Sequence, residues 1–318
     1  MRPILTLTMN PALDVFLETP RLRPNGKLRC ARPNYLPGGG GVNVSRAIRR
    51  LGGISTAMFP AGGAVGNRLI ELLARETIEM HVVRIAEETR ENVNVIEAET
   101  GLDYRFIVPG PQLGIEEWKQ LLDAIRSLTP RPDYVVASGT LPPGVPAGFY
   151  SRLSTLCHQL GIRLIVDTSG EALRYTGGKG TFLMKPNVGE LMAASRSGEL
   201  SDAAVANAAQ SLVNDGRSEV VVVSAGSGGA IVADRQGTRH IAAPVVPLGS
   251  RVGAGDSMVA GIALALTNGL SIDDAVMFGV AAGSAAVMTH HHQLCRFDDT
   301  VRLFNELRQK YGPVTKIA

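Results

Sequence analysis

Residues 252–261 combine small residues with a single carboxylate at the point where a helix is predicted to begin. The first backbone N–H groups of a helix have no acceptor within the helix, and the helix dipole places partial positive charge there, so anions bind at such ends. Gly253 and Gly255 let a phosphoryl group approach the backbone, and Asp256 is placed to accept a proton from an incoming hydroxyl group. These residues predict a phosphate site beside a general base. Taken alone, they also fit a turn with an aspartate helix cap.

Another glycine-rich segment, the first in chain order, lies far upstream, at residues 37–41. Val44, Ala47 and Leu51 follow it at helical spacing, and Gly52 then supplies a stop signal. We therefore predict that the glycines form the loop that enters a helix, where the backbone comes close to a ligand.

Length, charge and cysteine content limit the class of protein. The 318 residues are predicted to form one domain, residues 1–318, because α/β folds often reach this length without dividing. A net charge of +3 is too small for a nucleic-acid binder that neutralises many phosphates. The cysteines are odd in number, widely spaced and lack a Cys-x-x-Cys pair, which argues against a disulfide framework or a zinc site. Without a membrane-spanning or signal-peptide pattern, we expect a cytoplasmic protein with neither membrane nor nucleic-acid partners.

Short apolar runs have the length of buried strands, and helical patterns separate most of them. The runs are residues 4–7, 134–137, 164–166, 181–184 and 220–224. Such alternation predicts a largely parallel sheet covered on both faces, with ligands at the carboxyl ends of its strands. Two segments break the alternation, at about residues 15–36 and 90–108, and they are predicted to form short antiparallel strands.

The two glycine-rich segments together resemble the paired signatures of the ribokinase-like (PfkB) carbohydrate kinase family, and the resemblance extends from Leu7 to about Asp299. Other matching stretches follow in the family's order: residues 5–14, 26–29, 89–93, 104–106, 138–144, 185–190 and 224–229. The resemblance implies a three-layer α/β/α sandwich with a mainly parallel central sheet. It also implies a small antiparallel β lid, built from the segments at 15–36 and 90–108, and a homodimer in which two lids clasp each other.

The resemblance implies ATP-dependent transfer of a phosphoryl group to a sugar, and the branch that matches best phosphorylates fructose-6-phosphate at O1. Asp256 matches the family's general base, and the N–H groups of Gly253, Ala254 and Gly255 match the donors that stabilise the developing charge. The residues that match the sugar-phosphate site are Asp14, Lys27, Arg29, Gly38, Gly39, Asn43, Arg90, Arg105 and Thr140. The basic members lie in the lid segments, which implies a substrate that already carries phosphate.

MgATP is the nucleotide that the resemblance implies. The residues that match its site are Lys185, Asn187, Ser224, Gly226, Gly228, Gly229, Val280 and Ser284. Glu190 stands one helical turn beyond Asn187, and in the family this pair positions Mg²⁺, typically through water. Without the resemblance, the pair would indicate only a favourable helix start, and Val280 and Ser284 a buried helix face.

Ser250, Val252 and Ala286 match positions of a monovalent-cation (K⁺) site in the family, whose ligands are mostly backbone carbonyls. Histidines at 290–292 replace the small residues that the family has nearby, which weakens the transfer of that site. They do not themselves predict a metal site, because adjacent side chains point in different directions. Met258 interrupts a Gly-x-Gly-x-x-Gly pattern, which counts against a dinucleotide-binding oxidoreductase.

The identity of the sugar phosphate depends on one position of the first glycine-rich segment. Tagatose-6-phosphate kinases and 1-phosphofructokinases of the family have a lysine where this chain has Gly40, so fructose-6-phosphate is favoured and these two substrates remain alternatives. A catalytically silent sugar-phosphate sensor on the same fold is the alternative outside enzymes. The retained Asp256 and both glycine-rich segments argue against it.

Overall fold

The computed structural model describes residues 4–195, 201–289 and 293–311. Its strands are β1 (Ile4–Leu7), β2 (Ala12–Thr19), β3 (Asn34–Gly38), β4 (Thr56–Ala61), β5 (Glu79–Arg84), β6 (Arg90–Glu97), β7 (Leu102–Phe106), β8 (Tyr134–Ser138), β9 (Arg163–Asp167), β10 (Thr181–Met184), β11 (Val220–Ser224), β12 (Ala230–Asp234) and β13 (Gly237–Ile241). Its α-helices are α1 (Gly40–Arg50), α2 (Gly63–Arg75), α3 (Ile115–Ser127), α4 (Phe149–Leu160), α5 (Gly170–Tyr175), α6 (Val188–Ser195), α7 (Asp202–Asn214), α8 (Ala254–Thr267), α9 (Ile272–Val287) and α10 (Phe297–Tyr311).

The larger sheet has the strand order β13-β12-β11-β10-β9-β8-β1-β4-β5 within the described ranges. Neighbouring strands from β5 to β11 are parallel, and the β11-β12-β13 end is antiparallel. The five apolar runs identified in the sequence become β1, β8, β9, β10 and β11, which confirms that prediction. A parallel sheet is covered on both faces, so its strands consist almost entirely of apolar residues.

Side chains of the large sheet alternate between two layers of helices. Ile4 packs in one apolar cluster with α1, α8, α9 and α10, whereas its neighbour Leu5 packs in another with α3 and α4. Helices α6 and α7 cover the sheet near its antiparallel end. The predicted three-layer α/β/α arrangement is therefore confirmed. No described helix is both long enough and apolar enough to cross a membrane.

The smaller sheet has the order β3-β2-β6-β7 and forms the predicted lid. Its outer pairs, β2–β3 and β6–β7, are antiparallel as predicted, but its central pair β2–β6 is parallel. The reason is that β2 and β6 follow β1 and β5, which run in the same direction in the large sheet. The predicted segment 15–36 lies within the β2–β3 pair, which extends from Ala12 to Gly38, and residues 20–33 form the connection between the two strands.

Candidate active site

Helix α8 begins at Ala254, as the sequence predicts, with Asp256 in its first turn. Gly253 precedes the helix with a φ of 79°, a left-handed conformation that favours glycine. Helix α9 approaches this end so closely that a Cβ atom on Gly283 would lie 3.2 Å from the carbonyl oxygen of Ala254. The start of α8 is therefore a fixed group of backbone N–H donors.

The first glycine-rich segment leads from β3 into α1, which begins at Gly40. A side chain at Gly38 would overlap the carboxylate of Asp14, and one at Gly41 would lie 2.6 Å from the hydroxyl oxygen of Thr8. Gly39 has a φ of 106°, and a Cβ there would lie 2.8 Å from Thr8 Cγ2. Glycine is needed here because the backbone passes against β1 and Asp14.

The two glycine-rich segments meet through a side-chain hydrogen bond between α1 and α8. Asn43 Nδ2 donates to Asp256 Oδ2 over 2.9 Å, although 213 positions separate the two residues. The carboxylate that the sequence predicts as a base therefore contacts the helix that begins in the glycine-rich segment 37–41. Asn43 was predicted to face the sugar, and in the structure its amide contacts Asp256.

Lys185, just after β10, forms a buried ion pair with Asp167 at the end of β9, with 3.1 Å between Nζ and Oδ1. Burial lowers the pKa of Lys185, but the charge and hydrogen bond of Asp167 outweigh burial and raise that pKa above its usual value. The sequence analysis missed Asp167. The signal was available, because Asp167 follows the apolar run 164–166 at the carboxyl end of a parallel strand.

Asp256 titrates near neutral pH. Burial and then the negative charge of Asp167 raise its pKa to about 7, whereas the hydrogen bond from Asn43 and the charge of Lys185 act in the opposite direction. A general base is most effective when its pKa is close to the working pH. The carboxylate therefore has the proton affinity expected of a base.

Asp14 lies within β2, and Asn92 Nδ2 donates to its Oδ1 over 2.8 Å. Burial raises the pKa of Asp14, against the hydrogen bond from Asn92 and the charges of Arg105, Arg90 and Arg46. The lid sheet supplies both Asp14 and Asn92 because β2 and β6 pair in register at these two residues. A carboxylate acceptor near three basic groups therefore lies on an interior strand of the lid.

The match between this chain and the model of the pfkB family of carbohydrate kinases covers residues 7–298. The chain belongs to the pfkB family of carbohydrate kinases. It is 44% identical over 301 residues to the ATP-dependent 6-phosphofructokinase isozyme 2 of Mycobacterium tuberculosis, with 95% of this chain and 88% of that protein covered. It is 32% identical over 292 residues to the 1-phosphofructokinase of Bacillus subtilis, with 90% of this chain and 93% of that protein covered.

Crystal structures of phosphofructokinase-2 from Escherichia coli share the fold of this pfkB kinase. The structure in complex with fructose-6-phosphate is 42% identical with a TM-score of 0.89, and it covers 96% of this chain and 99% of that chain. The structure in complex with potassium has the same identity and coverage and a TM-score of 0.92. The fold and the family predicted from the sequence are thereby confirmed.

The predicted phosphate ligands of this pfkB kinase fall into two groups. Arg90 donates to the backbone carbonyls of Val108 over 2.9 Å, Asn10 over 3.0 Å and Pro11 over 3.4 Å. Arg105 donates to Asn94 Oδ1 over 3.2 Å. The positive charges of Arg90 and Arg105 both lower the pKa of Asp14. Lys27 and Arg29 instead lie in the exposed connection between β2 and β3. Thr140, at the start of the loop that follows β8, accepts a hydrogen bond of 3.3 Å from Asn10.

Asn187 and Glu190 cap the start of α6 reciprocally in this pfkB kinase. Asn187 N donates to Glu190 Oε2 over 2.9 Å, and Glu190 N donates to Asn187 Oδ1 over 2.8 Å. Asn187 is also bridged to Ser224 at the end of β11. A cavity of about 320 Å³ adjoins this cap, and its lining consists of Gly170, Arg174, Asn187, Gly189, Glu190, Ala193 and Ala194. Asn187 and Glu190 therefore cap the start of α6, and both also line the cavity.

The remaining predicted nucleotide residues lie on two elements. Gly226 and Gly228 bound a single 3₁₀ turn after β11, and Gly229 then passes so close to Ile241 that a side chain there would overlap its carbonyl oxygen. On α9, Val280 is 5% exposed and packs in the core, whereas Ser284 is partly exposed. Val280 is thus a core residue in this structure, because α9 packs tightly against α8.

Oxygen ligands suited to Mg²⁺ surround Lys185. Burial and the charge of Asp167 raise the pKa of Glu190, and the charge of Asp167 also raises the pKa of Asp256. All three carboxylates in turn raise the pKa of Lys185. Among the described residues, no three His, Cys, Asp or Glu side chains converge closely enough to hold a metal ion by themselves. The site fits Mg²⁺ that keeps water and phosphate oxygens, which this ion prefers.

The proposed monovalent-cation positions surround the end of α9. The N–H of Ser250 donates to Val287 O over 3.1 Å, and the N–H of Val252 donates to Ser250 Oγ over 3.2 Å. The carbonyl of Ala286 accepts from both the N–H and the hydroxyl of Thr289, over 3.0 and 2.7 Å. The histidines at 290–292 lie outside the described residues.

Proposed function

We propose that this pfkB kinase is an ATP-dependent 6-phosphofructokinase, which transfers the γ-phosphoryl group of MgATP to O1 of fructose-6-phosphate and yields fructose-1,6-bisphosphate and ADP. The observation that carries the proposal is Asp256, a base with a pKa of about 7 that joins the start of α8 to the glycine-rich segment through Asn43. Greater similarity to the 6-phosphofructokinase relative than to the 1-phosphofructokinase relative supports fructose-6-phosphate over fructose-1-phosphate.

In the proposed reaction Asp256 accepts the proton of the sugar hydroxyl while O1 attacks the γ-phosphorus. The new O1–phosphorus bond forms as the bond between the γ-phosphorus and the β–γ bridging oxygen breaks, and ADP leaves with that oxygen. The N–H groups of Gly253, Ala254 and Gly255 donate to the phosphoryl oxygens, where negative charge accumulates. Because these donors are fixed at the start of α8, they need no reorganisation during the step.

At the sugar end, Asp14 accepts hydrogen bonds from the sugar hydroxyls, and Gly38 and Gly39 leave room for the ring. The overlap that any side chain at Gly38 would have with Asp14 supports this assignment. We assign the substrate's 6-phosphate to Arg90 and Arg105, with Lys27 and Arg29 contributing from the exposed connection, and a ring hydroxyl to Thr140. Positive side chains on both sides of Asp14 favour a phosphorylated sugar over a neutral one.

At the nucleotide end, Lys185 approaches the transferred phosphates, and Asn187 and Glu190 hold hydrated Mg²⁺ that accompanies ATP. The Ser224 to Gly229 turn and Ser284 border the rest of the nucleotide. Mg²⁺ supplies positive charge to the β- and γ-phosphates when it is bound. Lys185 orients the same phosphates from the protein side, and Asp167 holds Lys185 in its charged form.

Initial rates with a panel of sugars test the proposed function. With MgATP, we expect the highest kcat/KM for fructose-6-phosphate, followed by tagatose-6-phosphate, with fructose-1-phosphate and fructose much lower. A preference for fructose-1-phosphate or for an unphosphorylated sugar would contradict the proposal. Calorimetric binding of fructose-6-phosphate without turnover of any sugar would instead support the sensor alternative.

The pH dependence of turnover should report the titration of Asp256. A base must be unprotonated to act, so we expect kcat/KM for fructose-6-phosphate to fall as the pH drops below about 7, approaching tenfold per pH unit. The measurement is kcat/KM between pH 5.5 and 9 at saturating MgATP. A profile that stays flat down to pH 5.5 would exclude Asp256 as the base at this pKa.

Gly38→Ala should selectively weaken the use of the sugar phosphate. The added methyl group overlaps the Asp14 carboxylate, so this side chain must rotate away from the sugar. We expect kcat/KM for fructose-6-phosphate to fall by about 10- to 100-fold, with KM for ATP unchanged. Gly148→Ala is the matched control, because a Cβ atom there meets nothing within 4 Å. Equal kinetics of the two variants would remove Asp14 from the sugar site.

We further propose that two copies of this chain associate through their lids. Strand β7 is an edge strand with exposed apolar side chains, including Leu102 at 54% and Phe106 at 56% exposure. Such an edge pairs readily with another strand. We expect the wild-type chain to elute as a dimer in size-exclusion chromatography with light scattering, and Phe106→Asp to shift it towards the monomer. A monomeric wild-type chain would contradict this assembly.

A further inference from the structure

Arg46 is a buried arginine on α1, one helical turn after Asn43, the residue that donates to Asp256. Its side chain is 5% exposed, and its guanidinium forms a two-pronged ion pair with Glu76, at 2.8 Å from Nε and 2.7 Å from Nη2. The remaining nitrogen, Nη1, donates to Pro37 O over 2.9 Å and to Asn43 Oδ1 over 3.4 Å. All three nitrogens are therefore engaged, and two of the acceptors belong to the site.

The contacts with Arg46 and with Asp256 together determine which way the Asn43 amide faces. A guanidinium carries only donors, so the neighbouring end of the amide must be the oxygen. The nitrogen is then turned towards Asp256, to which it donates over 2.9 Å. Without Arg46, the amide oxygen would lose this donor, and the Asn43 side chain would be held less firmly against the carboxylate.

We propose that Arg46 is a positioning residue for phosphoryl transfer, which fixes the Asn43 amide so that it donates to the catalytic base and holds the Pro37 carbonyl at the entrance to the glycine-rich segment. The inference rests on the proposed function, because it assigns Asp256 as the base. Glu76, at the end of α2, anchors the guanidinium in turn. A single ion pair between two helices thereby orients a side chain that contacts the base.

The hydrogen bond from Asn43 is one of two influences that lower the pKa of Asp256. The other is Lys185, whereas burial and the charges of Asp167 and Asp14 raise the pKa. If the hydrogen bond from Asn43 were lost, Lys185 would be left to oppose the groups that raise the pKa of Asp256. The pKa of the base should therefore rise when Arg46 is removed, even though Arg46 does not touch Asp256.

Arg46→Met tests the inference through the pH profile rather than through activity alone. We expect the acid limb of kcat/KM for fructose-6-phosphate to move upward by about half a pH unit or more, with activity largely recovered at pH 9. Arg239→Met is the matched control, because Arg239 is also 5% exposed and pairs with two carboxylates, Asp234 and Asp273, in another part of the fold. The control should lose stability and keep the wild-type acid limb.

A double variant shows whether Arg46 acts through Asn43. Asn43→Ala should raise the acid limb by itself, and adding Arg46→Met should raise it no further. Arg46→Lys keeps a charge opposite Glu76 but cannot serve all three acceptors, so it should shift the limb in the same direction if Arg46→Met does not fold. An unshifted limb in the folded Arg46 variants, or shifts that add in the double variant, would overturn the inference. Failure of the wild-type chain to phosphorylate fructose-6-phosphate would instead overturn the proposed function.

Discussion

Asp256→Asn is expected to lower kcat for fructose-6-phosphate by about 10³-fold, because an amide cannot accept the proton of the attacking hydroxyl. KM for both substrates should change little, since the amide keeps the size of the carboxylate and the phosphate donors at the start of α8 remain. Steady-state kinetics at pH 8 give the comparison. Asp123→Asn, at an exposed residue of α3, is the control and should match the wild type. A kcat within tenfold of the wild type would exclude Asp256 as the base.

The same substitution should stabilise the fold, which separates loss of chemistry from loss of structure. The folded-state pKa of Asp256 is raised to about 7, so ionising this residue in the folded protein costs stability progressively as the pH rises from about 4 to about 7, and the cost is constant above. Asparagine carries no such cost. We expect Asp256→Asn to have a higher Tm than the wild type at pH 8 and nearly the same Tm at pH 4.5. A lower Tm at pH 8 would contradict the assigned environment.

Lys185→Met is expected to reduce the free energy of unfolding by about 3 to 5 kcal/mol, because it leaves Asp167 largely buried without its partner. It should also move the acid limb of kcat/KM upward, since the charge of Lys185 lowers the pKa of Asp256. Urea unfolding measures the first effect and the pH profile measures the second. An unchanged free energy of unfolding in Lys185→Met would mean that water reaches the Asp167 carboxylate and replaces the lost hydrogen bond.

The double variant Lys185→Met/Asp167→Asn tests whether the unpaired Asp167 carboxylate causes the stability loss expected in Lys185→Met. Removing both charges eliminates the unpaired carboxylate, so most of the stability lost in Lys185→Met should return. The acid limb should move back as well, because the charge of Asp167 raises the pKa of Asp256. If the two substitutions each cost stability and their costs add, the ion pair does not account for the effect.

Five strands of the large sheet, β1, β8, β9, β10 and β11, were predictable because each is largely buried and consists mainly of apolar residues. The edge strands β5 and β13 carry charged residues and are partly exposed, so no apolar run marked them. The lid was predictable only in outline. Its exposed strands have weak alternation, and the direction of β6 relative to β2 depends on how the chain leaves β5, which no local pattern encodes. The connection at residues 20–33 could have been found, because Pro24-Asn25-Gly26 in its middle is a turn signal, and Pro24 and Asn25 do lie in a turn.

Motif spacing predicted the positions where the structure leaves no room for a side chain or requires a positive φ, such as Gly38 and Gly253, because the small size of glycine is itself the signal. Asp167 could have been found from its place after an apolar run. Arg46 could not, because a charged residue within a helix normally indicates an exposed face. Its burial depends on Glu76, which lies 30 positions away and meets it only after α1 and α2 pack.

Phosphorus NMR of wild-type chain, MgATP and fructose-6-phosphate tests the central claim most directly. The account predicts that the γ-phosphate resonance of ATP is replaced by ADP and by a second phosphate ester at C1 of the sugar, and that neither appears at a comparable rate with Asp256→Asn. Formation of ADP with free phosphate only, or of an ester at another carbon, would contradict it.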